Sequence, residues 1–260
     1  MRIVQVIAIL FLLLQATKAN AQGRTVGTMA IPPKLFTLRN ARVTPGINFS
    51  FYTNDNPDPQ QTLFKSSTGN LPSNFDFAYG QGDTLHYLAA GLMLDISSPN
   101  SVLGFVIGAE YNLNRFGLRE KTADTLNSFQ IQTLRFPVYL KIKIGDIHNR
   151  LNGILMGGVQ YALPLSYQRR LRTGRTIGST NELANGLYYS AIAGVQIRTS
   201  RGGTTERTRF WLYARGDLAA SNQFSLAGQR AIFGPGVSPS VSYQDLNVSI
   251  GLAFFLGSGG

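Results

Sequence analysis

The chain holds two histidines and no cysteine, so acid–base or nucleophilic chemistry near neutral pH has few places to sit. His148 follows Asp146 in a short polar segment, which suits turn chemistry better than a proton relay. His86 stands at the end of an alternating stretch, on its apolar side with Leu88, and the pattern sets no serine or carboxylate beside it. A hydrolase or acyltransferase needs a nucleophile with an oriented base; neither histidine supplies one, and a lipid-modifying enzyme stays only as an alternative. Asp55 and Asp58 lack the glycine and closing glutamate of a calcium loop, and no Gly-Lys phosphate loop occurs. No catalytic residue, metal site or cofactor is expected.

The remaining chemistry is charge, in two patterns. Arg135, Lys141, Lys143 and Arg215 fall on the polar sides of alternating stretches, and so do Asp95, Glu110, Asp217 and Asp245. A narrow lumen lined by these faces would hold them as a paired network, because an unpaired buried charge costs several kcal/mol. A Glu110–Arg135 contact across neighbouring strands is expected, with Arg42 and Arg209, at strand starts, left on the rim. The second pattern is the run Arg169, Arg170, Arg172 and Arg175. Arginine forks match phosphate oxygens, so this run is either a contact for glycolipid phosphates or a solvated charge cluster.

The elements that carry these residues are strands. From Thr133 to Gly145, Leu134, Phe136, Val138, Leu140, Ile142 and Ile144 alternate with Arg135, Pro137, Tyr139, Lys141 and Lys143, the period of two that gives a strand one apolar and one polar face. The same criterion with turn residues predicts eight strands: Arg42 to Thr53, Thr84 to Ile96, Val102 to Asn114, Thr133 to Gly145, Leu151 to Leu163, Leu187 to Ile197, Thr208 to Leu218 and Asp245 to Leu256. Short connections alternate with long ones. The long ones are Asn54 to Asp83, Arg115 to about Ser128, Ser166 to Gly186, and Ala219 to Gln244. Short turns on one rim and long loops on the other are the habit of an outer-membrane barrel with both termini on the periplasmic side. Tyr52, Tyr111 and Tyr161, near strand ends, fit an interfacial girdle.

Arg2, an apolar run from Ile3 to Leu14 broken only by Gln5, and the ending Ala19-Asn20-Ala21 form a secretory signal cleaved after Ala21. Residues 22–41, with Pro32-Pro33, read as an extended segment, and 42–260 as an all-β, eight-stranded antiparallel up-and-down transmembrane barrel. The formal net charge of +11 in an exported chain points to anionic outer-membrane lipids and glycolipid and away from nucleic acid. Alternation alone also fits a soluble lipocalin-like binder with its apolar faces inside.

The fourth strand, LRFPVYLKIKIG, resembles the hallmark strand of the PorT-like outer-membrane β-barrel proteins of Gram-negative bacteria: Pro137 is followed four residues later by Lys141 within an apolar alternation. Gly157-Gly158 and the strand from Leu246 to Phe255 are similar too. Arg135 departs from the acidic residue usual two positions before the proline, and the chain runs on past Leu256 to Gly260 instead of ending on an aromatic residue. The resemblance implies an eight-stranded barrel and, through the family's founding member, an association with envelope or secretion-machinery proteins. The residues themselves read as a non-enzymatic barrel with a filled lumen, acting through long outer loops or a partner.

Overall fold

The computed structural model describes residues 41–53, 65–68, 75–78, 85–98, 101–120, 125–145, 150–171, 173, 175–199, 208–234 and 244–256. The signal segment, nearly all of the extended segment, Asp55, Asp58, His148, Arg172 and the side chains of His86 and Asp245 lie outside the described residues.

Eight strands form a closed antiparallel barrel: β1 (Arg42–Thr53), β4 (Leu85–Ser97), β5 (Leu103–Glu120), β6 (Thr125–Ile144), β7 (Leu151–Arg170), β9 (Gly186–Thr199), β10 (Thr208–Ala219) and β11 (Gln244–Leu256). They neighbour one another in that order, and β1 closes the ring on β11 through pairs such as Ile47 with Phe254. Three short strands extend the sheet at the long-loop end: β2 (Lys65–Thr68) on β11, β3 (Phe75–Ala78) on β5 and β8 (Thr176–Ile177) on β7. No helix among the described residues is long and apolar enough to cross a membrane.

The apolar face points outward. Ile47, Leu92, Val138, Tyr161, Tyr189 and Ile250 are all exposed, while Asn48, Asp95, Tyr139, Gln160, Ser190 and Ser249 are buried in the lumen. A soluble binder carries the opposite arrangement, so the lipocalin-like alternative falls. A wall of exposed Leu, Ile, Val and Phe this extensive is a surface built for hydrocarbon. On β5 the apolar outward positions run from Phe105 to Leu113 and on β6 from Leu134 to Ile144, about the 9–11 residues a tilted membrane strand needs. Tyr111 and Tyr161 project outward from this belt; Tyr52 shares the alternation of Asn48 and Ser50 and belongs to the lumen side.

Three strands are longer than the pattern indicates, with 18 residues in β5 and 20 each in β6 and β7. The segment expected as a loop after Asn114 is mostly a continued hairpin in which Gly117 pairs with Ser128. Its alternation persists with reversed chemistry: Phe116, Leu118, Phe129 and Ile131 point inward and are buried, while Arg115, Arg119 and Gln130 point out. A strand leaving hydrocarbon for water must invert its pattern in this way.

Pro137 sits inside the best-patterned strand because only one neighbour loses by it. The β6–β7 ladder runs unbroken through Pro137 and Gln160. On the β5 side the pairs that Phe136 and Pro137 would make with Ala109 and Gly108 are missing, and the register resumes unchanged at Glu110 and Arg135. A residue without an N–H forfeits one ladder bond and no more.

The belt makes a direct prediction. Val138→Lys, at mid-belt, should destabilise the barrel folded in lipid vesicles by about 2–4 kcal/mol. Gln168→Lys, above the belt on the same outer wall, should stay within about 0.5 kcal/mol. Urea denaturation followed by the gel mobility of the folded band measures both.

Candidate functional site: a filled lumen and its cap

Read toward the long-loop end along β6, the inward side chains are Lys143, Lys141, Tyr139, Pro137 and Arg135; along β10 they are Arg209, Trp211, Tyr213, Arg215 and Asp217. Both strands thus run from a charged layer through an apolar one to a second charged layer.

In the first layer Asp95 is the acceptor. Nζ of Lys141 donates to both of its carboxylate oxygens at 2.5 Å, and Nη1 of Arg209 donates to Oδ2 at 2.5 Å. Lys143 instead donates to the backbone oxygen of Ser98 at 2.9 Å. Arg209 corrects the expectation of a rim position: it is 4% exposed. It shares the alternation of Trp211 and Arg215, a signal in the sequence that its place at a strand start obscures. Arg42 is exposed at the rim.

The second layer is built around Asp217. Its Oδ1 accepts from Nε of Arg215 at 2.9 Å, from Oγ of Ser190 at 2.6 Å and from Nε2 of Gln160 at 2.8 Å. Its Oδ2 accepts from the Tyr87 hydroxyl at 2.9 Å and from Nη1 of Arg135 at 3.3 Å. Arg215 also reaches both oxygens of Glu110, at 2.8 and 3.0 Å. Arg135 lies with its guanidinium 3.9 Å from the Tyr188 ring centre. Glu110 and Arg135 are register partners on the lumen face, side by side across β5 and β6, while their ion pairs go elsewhere: Glu110 takes Arg215 and Arg135 takes Asp217. In a narrow barrel the long guanidiniums reach the opposite wall, where bidentate geometry is available. Arg209 joins Arg135, Lys141, Lys143 and Arg215 as a buried lumen cation beside Asp95, Glu110 and Asp217; the side chain of Asp245, the fourth expected carboxylate, lies outside the described residues.

Two glycines make the network geometrically possible. Gly91 lies between Asn48 and Glu110 in the paired rows, and Asn48 donates across it to Glu110 at 2.6 Å. Gly104 lies between Ser97 and Lys141; a Cβ there would stand 2.7 Å from the Ser97 side chain and 3.3 Å from the Lys141 stem. Glycine at the middle of three strands lets the outer two touch through side chains.

Between the layers Met93, Val106, Tyr139, Ile154, Trp211 and Phe255 are buried in one apolar cluster, with the Trp211 and Phe255 ring centres 4.2 Å apart. Beyond the second layer the extended hairpins enclose Phe116, Phe129, Tyr167, Leu183 and Phe224. Phe116 and Phe129 stack at 4.9 Å. Over them sits α1 (Leu226–Phe233), capped by Ser225, whose hydroxyl accepts from the Gly228 N–H at 3.2 Å. Ser225 binds the turn 180–182 through its N–H to the Glu182 oxygen and its hydroxyl to the Asn181 oxygen. The long segments after Ser166 and Ala219 therefore meet as an ordered cap.

The arginine run divides. A bulge at Gln132/Thr133 sets Thr133 opposite Pro164 and Gln132 opposite Ser166. The extra residue reverses the alternation of β7 beyond it, so Tyr167 turns inward and is buried, while Gln168 and Arg170 turn outward. Arg169, expected at the glycolipid, is turned toward the cap and donates to the Ala231 oxygen at 2.8 Å. Arg170 and Arg175 are exposed.

Among the described residues no group of three or more His, Asp or Glu is placed to hold a metal. No protein-family model matches the chain, and no curated protein does. Among solved structures it is similar to the crystal structure of the outer membrane protein OprG from Pseudomonas aeruginosa, at 11% identity and a TM-score of 0.40, covering 83% of this chain and 95% of that one.

Removing one partner from a buried pair strands the other charge. Asp217→Ala should therefore cost roughly 3–5 kcal/mol of barrel stability. Gly104→Val should also lower stability, by parting Lys141 from Ser97 and Asp95. The midpoint of urea unfolding in detergent is the measurement for each.

Proposed function

We propose that this chain is a non-enzymatic outer-membrane barrel, with both termini periplasmic, that does not conduct and works as a platform through its outer cap or through a partner held there. The observation that carries this reading is the filling of the lumen. Two charged layers, an apolar layer between them and an aromatic plug beyond lie in series along the lumen, an arrangement that supports a barrel closed to ions. Each buried carboxylate here is taken up by cations of the lumen, which supports rigidity rather than acid–base turnover. The signal-like start and the exterior belt support export and insertion, since strands closed on themselves are what can span a bilayer without an apolar helix. An accessory role in envelope or secretion assemblies is what the resemblance of the Pro137 and Lys141 strand adds to this reading.

The test combines location with conduction. The protein should fractionate with outer membranes, change its gel mobility on boiling, and show no discrete current steps in a planar bilayer. Recovery in the soluble fraction overturns the membrane placement; steady single-channel steps from the purified barrel overturn the sealed lumen.

A further inference from the structure

The outer wall of β5, β6 and β7 changes character row by row. Tyr111, Leu134 and Leu163 form the last wholly apolar row, and Leu113, Gln132 and Ser166 the mixed row above it. Next come Arg115, Gln130 and Gln168, then Gly117, Ser128, Arg170 and Thr176, each row held in register by the ladders. In these two rows the wall is hollowed into a groove of about 440 Å³ lined by Arg115, Ser128, Gln130, Gln168, Arg170 and Thr176. The short side chain of Ser128, on the strand between those of the two arginines, lines the hollow. Gln130 accepts from Nε of Arg115 at 3.1 Å, which fixes the orientation of that guanidinium.

We propose that this groove holds a phosphate of a lipid headgroup in the outer leaflet. Its chemistry is that of a phosphate site: two guanidiniums diagonal across the hollow, with amide and hydroxyl donors between them. Its height selects the lipid over a soluble anion. At about 3.4 Å per residue, the Arg115 row begins roughly two rows, or about 14 Å along the tilted strands, above the last wholly apolar row. This is where the headgroup of a lipid whose chains lie on the belt must sit. The bulge at Gln132/Thr133 makes the site, because without it Arg170 and Gln168 would face inward. The inference rests on the membrane reading above and replaces the arginine run by a pair from two different strands.

The test is native mass spectrometry of the full-length barrel folded in detergent and titrated with bis-phosphorylated lipid A, with the same lipid stripped of phosphate, and with inorganic phosphate. The wild type should bind the phosphorylated lipid in preference to the stripped one. Arg115→Gln/Arg170→Gln should weaken that binding on the order of tenfold, and Arg42→Gln, at the opposite rim, should leave it unchanged. Equal affinity for the two lipids, or equal affinity of wild type and double variant, overturns the proposal; so does displacement of the lipid by equimolar inorganic phosphate. Should the double variant lose its heat-shifted band, Arg170→Gln alone, at the exposed end of β7, decides between the same outcomes. A wild type without a heat-shifted band instead marks failure of the barrel reading, independently of any lipid result.

Discussion

A charge enclosed in a barrel of eight strands must find its partner inside, and the rest of this structure answers to that requirement. Asp217 shows how fully: two arginines, a tyrosine, a serine and a glutamine converge on its two oxygens. Each partner comes from a different part of the wall, so the network ties β4, β6, β7, β9 and β10 together across the lumen as the ladders tie neighbours around it. Such cross-ties are available only if the barrel is narrow, and they keep it full. Rigidity and the filling of the lumen have one cause.

Space in so small a lumen is allotted residue by residue. Gly91 and Gly104 give up their side chains so that Asn48 and Lys141 can cross a strand. Trp211, Tyr139 and Phe255 take the volume that remains between the charged layers, and Tyr188 lies against the Arg135 guanidinium. Pro137 belongs to the same economy, because its ring occupies lumen volume while its missing N–H interrupts only the β5 side.

The outside of the barrel answers to two solvents in succession. Along β5 and β6 the belt of apolar residues forms the outer wall; past Leu113 and Leu134 the polarity inverts, and the apolar side now faces an aromatic core beyond the belt. The cap of α1 and the turn 180–182 closes this core from above. The same three strands thus carry a membrane wall, a plug and, on the outer wall just above the belt, a groove bordered by Arg115 and Arg170.

Much of this was legible in one sequence. Alternation located all eight barrel strands and their faces, and the polar faces named seven of the lumen charges whose side chains the structure describes, because a period of two commits every second residue to the same side. Loop lengths gave the two rims. The sequence did not show who pairs with whom, since cross-lumen distance depends on closure and tilt: hence Arg215 on Glu110, and Arg209 drawn in to Asp95. Nor did it show the length of the hairpin, whose pattern inverts where the solvent changes. The fate of the arginine run turned on a single inserted residue. A bulge at Gln132/Thr133 leaves composition and spacing untouched, yet it reverses every side chain beyond it on β7, sending Arg169 to the cap and Arg170 to the outer wall. Local periodicity determined the strands; register between strands, which no single strand contains, decided the contacts.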